Sequence, residues 1–230
     1  MTATSLRPTA DPVVRPMTDR DEVALRQLFR DTVVMGSPLP FDLADGGRYE
    51  SLCLDWYLGP GRSNAAVVDA GGEIAGFTLV CVDQAGYRRW VRARAARYLG
   101  YSIITLMRTS PRSPVARFHR SRLRDGWVML RSPAPPFAAH AHVNVLNHHL
   151  ARWAGKALLH CVDDQCRQAG LPGWYGEINA PVGKRATALA RVVGPVVHRA
   201  PNHTLSWLMD VPVERLTVAR TVQPSTETAA

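Results

Sequence analysis

The sequence predicts a single α/β domain (α+β type) in which helices flank a mixed, mostly antiparallel central sheet. Segments of strand and helix periodicity alternate along the chain, and a Gly-Gly turn joins two β-rich runs into an antiparallel hairpin. A glycine-bearing helix also follows directly on a strand. At 230 residues, 46% of them hydrophobic, the chain is long enough for one good-sized core. These observations together favour one domain with a mixed sheet.

The first half predicts a strand, two helices and a hairpin. "VVRP" at 13–16 is the strand, and Thr18 with Asp21 forms the start of a helix of capping-box type. A second helix covers 49–58, and "NAAVVD" pairs with "IAGFTLVCVD" across "AGGE". An Arg-rich insertion at about 86–135 follows, with amphipathic helices from about Tyr87 and from Val115.

The second half returns to alternation. "HAHVNVLN" at 140–147 is a strand that runs into a helix from Trp153 to about Ala169. "WYGEINA" and "KRATALARVV" give a further strand and helix, and "PVVHR" with "HTLSWLMDV" is predicted to be a final strand pair. We expect one domain over 13–212, with flexible tails at 1–12 and 213–230.

Composition limits the class of protein. No apolar run reaches the roughly 18–20 residues of a membrane span, and the N-terminus lacks the apolar core of a secretory signal. The four cysteines form no CxxC pair, which favours free thiols in a reducing compartment. We therefore expect a cytoplasmic protein.

The stretch "HLARWAGKALL" at 149–159 carries a glycine where a helix disfavours one, at a cost of about 0.5–1 kcal/mol relative to alanine. A strand that leads into such a helix start can bind an anion, because the first turn has free N–H groups and the positive end of the helix dipole. Gly155 would allow close approach, and Arg152 and Lys156 would add charge. The alternative is that Gly155 only permits close packing of the helix on the sheet.

Two common phosphate motifs do not match this stretch. A Walker loop needs a glycine where Leu150 stands and a Ser or Thr where Ala157 stands. The dinucleotide fingerprint needs three glycines, and one is present.

The spacing Arg152-x-x-Gly155-x-Ala157 resembles the R/Q-x-x-G-x-G/A signature of the GNAT acyltransferase superfamily (Gcn5-related N-acetyltransferases). The flanking segments resemble the same family in the same order. "VVRPMTDRDEVALRQLF" is similar to its first strand and helix, "AAVVDAGGEIAGFTLV" to its second and third strands, and "GEINAPVGKRATALARVVG" to its fifth strand and fourth helix. The resemblance covers about residues 13–210, with 86–135 as an insertion.

The resemblance implies that acetyl-CoA binds as co-substrate between the fourth and fifth strands and that an amine attacks its thioester directly. It implies that backbone N–H groups after the fourth strand hold the pyrophosphate, that strand backbone pairs with the pantetheine arm, and that one asparagine and one arginine border the same groove. The positions that match these roles are Val143, Val145, Leu146, Arg152, Trp153, Ala154, Gly155, Lys156, Ala157, Leu158, Asn179 and Arg185.

The sequence indicates the catalytic residues less clearly than the cofactor-binding residues. Glu177 and Asn179 share a face of one strand, as do His140, His142 and Asn144 of another. His142 and Glu177 are the candidate general bases, with Asn144 beside them. The tyrosine that the family places four residues before the glycine closing its fourth helix is replaced by Ala190, before Gly194. Binding of acetyl-CoA is therefore better supported than turnover.

The pair His140-x-His142, with His148 and His149 close behind, invites a metal interpretation. No Cys or Asp is placed to complete the ligand set, so no metal is expected.

The insertion makes the protein basic. Residues 86–125 hold eleven arginines and one acidic residue, a local charge of +10 within a net +9. They are interpreted as a solvated cover over the acceptor site, as recognition of an anionic acceptor, or as a basic surface for membrane or nucleic acid through 87–124, of which the last is the least favoured. The use of Arg in 26 of 28 basic residues fits a GC-rich genome equally well.

Three functions remain open from the sequence. The first is an N-acetyltransferase acting on a small-molecule or peptide amine, with a homodimer possible. The second is a non-catalytic acyl-CoA-binding module, and the third is a polyanion- or membrane-binding protein working through the insertion. The acceptor is not identified by any motif.

Overall fold

The computed structural model describes residues 11–44, 46–146 and 151–223, which form a seven-stranded sheet flanked by α-helices. The strands are β1 Val13–Pro16, β2 Ala65–Asp69, β3 Ile74–Cys81, β4 Ala139–Val145, β5 Gly173–Pro181, β6 Val196–Pro201 and β7 Val213–Thr221. The helices are α1 Glu22–Thr32, α2 Gly46–Leu58, α3 Gln84–Arg108, α4 Pro114–Arg131, α5 Ala151–Gln168, α6 Lys184–Val193 and α7 His203–Met209.

The sheet has the order β1-β2-β3-β4-β5-β7-β6. Its pairs are antiparallel except for the central one, β4 with β5, which is parallel. The predicted fold class, a mixed and mostly antiparallel sheet flanked by helices, is confirmed.

Helices cover both faces of the sheet. On one face α1 and α2 pack on β2 and β3 through a core that includes Leu25, Leu54 and Phe77. On the other face α5 packs through Ala154 and Leu158, and α6 through Ala190. The alternation of side chains along each strand therefore decides which helical layer a residue meets.

The insertion is a helical hairpin of α3 and α4, as the amphipathic pattern predicts. Ser102 and His119 join the two helices by a 3.1 Å hydrogen bond in a buried position. Trp56 of α2 contacts the rings of Tyr87 and Trp90, which fixes the base of α3. The hairpin therefore lies on the face of the sheet that carries α1 and α2.

Two predictions for the last part of the chain are wrong. The segment 213–221 is not a tail but β7, between β5 and β6, because Val213, Leu216 and Val218 bury their side chains there. "HTLSWLM" is not a strand but α7, since the Asn202 side chain accepts a hydrogen bond from the Leu205 N–H and caps the helix. Residues 1–10 and 224–230 of the expected tails lie outside the described residues.

A buried carboxylate ties α5 to the sheet. Asp163 of α5 accepts hydrogen bonds from Trp174 Nε1 of β5 at 2.8 Å and from Arg220 Nη2 of β7 at 2.7 Å. Asp163 is 8% exposed, so water competes little with these two hydrogen bonds. Since α5 carries Gly155, this contact sets the position of the candidate anion site relative to the sheet.

We predict that Asp163→Ala lowers the free energy of unfolding by about 3–5 kcal/mol, because it leaves a partly buried guanidinium and an indole N–H without their acceptor. Urea denaturation of the purified protein measures the loss. Asp164→Ala is the matched control, because its neighbouring carboxylate is exposed and forms a surface ion pair with Arg167. Equal losses in the two variants would contradict the assigned role of Asp163.

Candidate active site

The two parallel strands at the centre of the sheet separate after two paired positions. β4 and β5 pair at Ala139↔Trp174 and His140↔Tyr175, and then continue to Val145 and Pro181 without further pairing. The result is a fork whose vertex lies at His140 and Tyr175. Among the residues that the structure describes, strand backbone that faces this fork has no strand partner on that side.

Alternation along β4 decides which backbone groups face the fork. The Leu146 N–H donates to the Ala75 carbonyl at 3.0 Å, so Leu146, and with it Asn144, points its polar backbone groups toward β3. Val143 and Val145 then point theirs into the fork. Of the three residues expected to pair with a pantetheine arm, Val143 and Val145 turn their backbone groups to the fork, whereas the Leu146 N–H is already used.

Six polar side chains from the two strands lie on the face that carries α1 and α2. They are His140, His142, Asn144, Tyr175, Glu177 and Asn179. The fork therefore has a backbone edge for an extended ligand and one wall of polar side chains, four of which are titratable.

His140 is the buried centre of this wall. Its Nε2 lies 2.6 Å from the Tyr57 hydroxyl and its Nδ1 lies 2.9 Å from Gln84 Oε1. Because an amide oxygen can only accept, Nδ1 carries the proton and the Tyr57 O–H donates to Nε2. Burial, with smaller contributions from His142 and Arg88, lowers the pKa of His140 to about 3, so the ring is neutral at pH 7.

His142 lies beside this centre. Its ring is 5.3 Å from the Tyr57 ring and 5.8 Å from the His140 ring. The side chain is exposed although protein surrounds it closely, which is the position of a group lining a narrow opening. Desolvation by the surrounding protein lowers the pKa of His142 to about 4, so the ring is neutral at pH 7.

The remaining polar residues of the wall are held by neighbours. Asn144 Nδ2 donates to Thr32 Oγ1 at the end of α1, at 2.5 Å. Glu177 is exposed, and Arg215 Nε lies 3.7 Å from its carboxylate. Asn179 Oδ1 accepts from Asn202 Nδ2 at 2.9 Å, which joins β5 to the residue that caps α7.

The first turns of α5 present two kinds of surface. Ala154 and Leu158 are fully buried against the sheet. Arg152, Trp153 and Lys156 are exposed, and Ala157 is half-buried. A Cβ atom added at Gly155 would meet no atom within 4 Å outside its own helix, so close packing does not explain the glycine.

The helical ladder limits which N–H groups can bind a ligand. In a helix that includes Ala151, N–H groups from Gly155 onward donate to carbonyls four residues earlier. The N–H groups of Lys156, Ala157 and Leu158 are therefore used by the helix itself. What Gly155 offers a ligand is therefore its missing side chain and not a free N–H.

We compared the chain with solved structures. The chain resembles the crystal structure of SsHAT, with 20% identity, a TM-score of 0.63, and coverage of 93% of this chain and 100% of the other. It also resembles an N-acetyltransferase from Staphylococcus aureus Mu50, with 10% identity, a TM-score of 0.51, and coverage of 93% and 100%. No protein-family model and no curated protein matches the sequence.

The chain has the GNAT fold. The order of elements predicted from the resemblance is the observed one up to β6, with the α3–α4 hairpin inserted between the third and fourth strands.

In the part of the chain that the structure describes, two positions singled out by the GNAT resemblance, 185 and 190, do not show a side chain at the fork. Arg185 belongs to α6, but its side chain lies outside the described residues. Ala190 is buried with Ala180 and Leu216, so position 190 faces the core under β5 and β7 and not the fork. Position 190 therefore presents no hydroxyl to the fork.

Sequence reasoning missed Tyr57, Gln84, Tyr87 and Tyr175. Tyr175 could have been found, because it alternates with Glu177 and Asn179 on β5. Tyr57, Gln84 and Tyr87 reach His140 from α2 and α3, and no local spacing connects those helices to β4. Their contribution depends on how the hairpin packs.

Among the described residues no group of three His, Cys, Asp or Glu side chains is placed to hold a metal ion, and His148 and His149 lie outside them. The four cysteines are free. In the described part of the chain, none of the helices is long and apolar enough to cross a membrane.

We predict that the stability of the protein falls as the pH is lowered from about 7 toward 4. The pKa of His140 is about 3 in the folded chain and about 6.5 in the unfolded chain, so between these values the unfolded state binds the extra proton. One such group gives a slope of up to about 1.4 kcal/mol per pH unit. Urea unfolding at several pH values measures it.

His140→Gln should flatten this slope, although it also lowers stability at pH 7, and His142 should account for part of what remains. The exposed His160 on α5 provides the control His160→Gln, which should keep the wild-type slope. An unchanged slope in His140→Gln would show that this histidine is not held neutral by the fold.

Proposed function

We propose that the protein is an acetyl-CoA-dependent N-acetyltransferase that moves an acetyl or other short acyl group to an amine by direct attack on the thioester. The observation that carries the proposal is the fork. An unpaired edge of β4 leads toward a helix whose first turns show an open glycine between exposed cations, while titratable groups line the vertex.

The residues present fit an extended, phosphate-bearing thioester. Val143 and Val145 offer backbone donors and acceptors toward the fork, and a pantetheine arm could pair with them as a strand does. The space beside Gly155 lets a pyrophosphate approach α5, where Arg152 and Lys156 would balance its charge. When bound, acetyl-CoA supplies an activated acyl group with a thiolate as its leaving group.

The proposed bases lie on opposite sides of the fork. Glu177 is an exposed carboxylate on β5, and Arg215 Nε lies 3.7 Å from it. His142 on β4 is neutral at pH 7, so its ring can accept a proton. Either group could take the proton of an ammonium acceptor, directly or through a water, and Asn144 borders the same opening.

We propose Tyr175 as the group that returns a proton to the thiolate in place of the missing side chain at Ala190. It is half-buried at the last paired position of β5, at the vertex of the fork. Burial raises the pKa of Tyr175, so its hydroxyl keeps its proton at pH 7 and can donate it.

We predict that Gly155→Leu weakens acetyl-CoA binding at least tenfold without loss of stability. The added side chain enters space outside the protein core, so it blocks a ligand while helix propensity improves. Isothermal titration with acetyl-CoA and thermal unfolding measure the two effects. A loss of stability with unchanged affinity would return Gly155 to a packing role.

Gly100→Leu is the matched control, since Gly100 lies within α3 and is likewise open around its Cβ position. It should leave acetyl-CoA affinity at the wild-type value. No binding of acetyl-CoA to the wild-type protein at millimolar concentration would reject the proposed function itself.

We predict that Glu177→Gln and His142→Gln separate the two candidate bases. The variant that lacks the true base should lose about 10²–10⁴-fold in kcat while acetyl-CoA affinity stays unchanged. Tyr175→Phe should lower kcat without changing acetyl-CoA affinity, because it removes only the hydroxyl. Thiol release with a panel of primary amines measures turnover.

If no amine supports thiol release although acetyl-CoA binds, the protein is a non-catalytic acyl-CoA-binding module. The burial of Ala190, which leaves position 190 without a hydroxyl at the fork, is the observation in favour of that second function.

A further inference from the structure

One arginine of the insertion points inward, unlike Arg117, Arg120 and Arg124, its exposed neighbours on α4. The Arg122 side chain is 28% exposed, and its guanidinium lies over the Tyr49 ring at 5.1 Å from the centroid. Its ion pair is with Asp125, at 3.9 Å. That distance is too long for a hydrogen bond, and within the described residues none of the hydrogen bonds uses this guanidinium.

Asp125 is already engaged by another element. Its carboxylate accepts hydrogen bonds from the His203 N–H at 2.7 Å, from the Thr204 N–H at 3.1 Å and from the Thr204 hydroxyl at 2.5 Å. These bonds hold α4 on the start of α7 and occupy the lone pairs that Arg122 would otherwise use. A partly buried guanidinium with five donors is thus left with a weak partner.

Arg122 lies at one end of a row of side chains on one face of α2. Tyr49, Cys53 and Tyr57 are one turn apart on a single face, so the row is about 12 Å long. Arg122 contacts Tyr49 at its first end, and His142 contacts Tyr57 at its last.

Tyr57 is the buried end of the row and belongs to the core, whereas Tyr49 and Cys53 are half-buried at its border. Tyr49, Cys53 and His142 keep part of their surface accessible although protein surrounds them closely. The rings of Tyr98 and Phe118, from the two helices of the insertion, approach Tyr49 to 6.1 and 5.5 Å. The accessible parts of Tyr49, Cys53 and His142 are the basis for placing an opening along α2, from the vertex of the fork to Arg122, beside the hairpin.

We propose that Arg122 binds an anionic group of the acceptor, so that the acceptor is an amine whose carboxylate or phosphate lies roughly 10 Å from the nitrogen that is acylated. This inference rests on the proposed function for the identity of the reacting end. A guanidinium in a confined site binds such an anion by paired, charge-assisted hydrogen bonds. The aromatic and thiol groups between the two ends suit an apolar connecting chain.

The test compares octylamine with 8-aminooctanoate, whose extended chain spans roughly 10 Å, and with 8-aminooctylphosphonate. Binding to the full-length protein is measured by isothermal titration at saturating CoA, so that the result does not depend on turnover. We expect one or both acidic amines to bind at least tenfold more tightly than octylamine. The preferred acid distinguishes a carboxylate from a phosphate acceptor.

Arg122→Ala should remove this preference and leave octylamine and CoA binding unchanged, whereas Arg122→Lys should retain part of it. Arg124→Ala is the matched control, because it removes the same charge from the exposed side of the same helix. If Arg122→Ala fails to fold, Arg122→Lys and Arg122→Gln provide the comparison, since each keeps more of the side chain against Tyr49.

Equal affinity of the wild-type protein for octylamine and both acidic amines would overturn the proposal, even if the protein proves to be an active acetyltransferase. Equal loss of the preference in Arg124→Ala would also overturn it, because the effect would then be one of net charge. Failure of the proposed function gives a different result: CoA and acetyl-CoA would not bind, while the preference for acidic amines would still be measurable without them.

Discussion

The separation of β4 from β5 after His140 is the constraint on which the candidate site depends. A parallel pair held at only two positions exposes the backbone of Val143 and Val145 toward the fork, and it turns side chains from both strands toward one opening. Tyr57 and Gln84 occupy both ring nitrogens of His140 at the vertex. The vertex is thus fixed by α2 and α3 as well as by the sheet, and only the open arms of the fork remain for a ligand.

Side-chain hydrogen bonds between helices and strands fix the positions of the elements around the fork. Asp163 joins α5 to β5 and β7, Asp125 joins α4 to α7, and the Asn179–Asn202 pair joins β5 to the cap of α7. Each of these carboxylates or amides is buried or half-buried and has its partners in place, which makes the bonds directional and costly to break. The helices that face the fork are therefore held by specific contacts in addition to apolar packing.

The sequence was informative wherever local pattern decides structure. Periodicity and turn chemistry located β2 and β3, the two insertion helices and α5, and the Arg152-Gly155-Ala157 spacing located the helix next to the fork. The errors fell where tertiary context outweighs composition. Polar Thr and Arg residues of 213–221 resemble a tail, yet that strand lies between two others, and α7 is a helix of seven residues specified by the Asn202 cap. The partners of His140 depend on packing between distant segments.

The inserted helical hairpin contacts the candidate site directly through both of its helices. Its first helical residue, Gln84, contacts His140 at one end of the opening along α2, and Arg122 of its second helix contacts Tyr49 at the other. The charge of the hairpin is correspondingly divided: most of its arginines face water, where sequence composition alone could account for them, whereas Arg122 is turned inward with a weak partner. Because Arg122 is turned toward Tyr49 and has only a long ion pair, the side on which an arginine lies tells more about the acceptor than the net charge of +9 does.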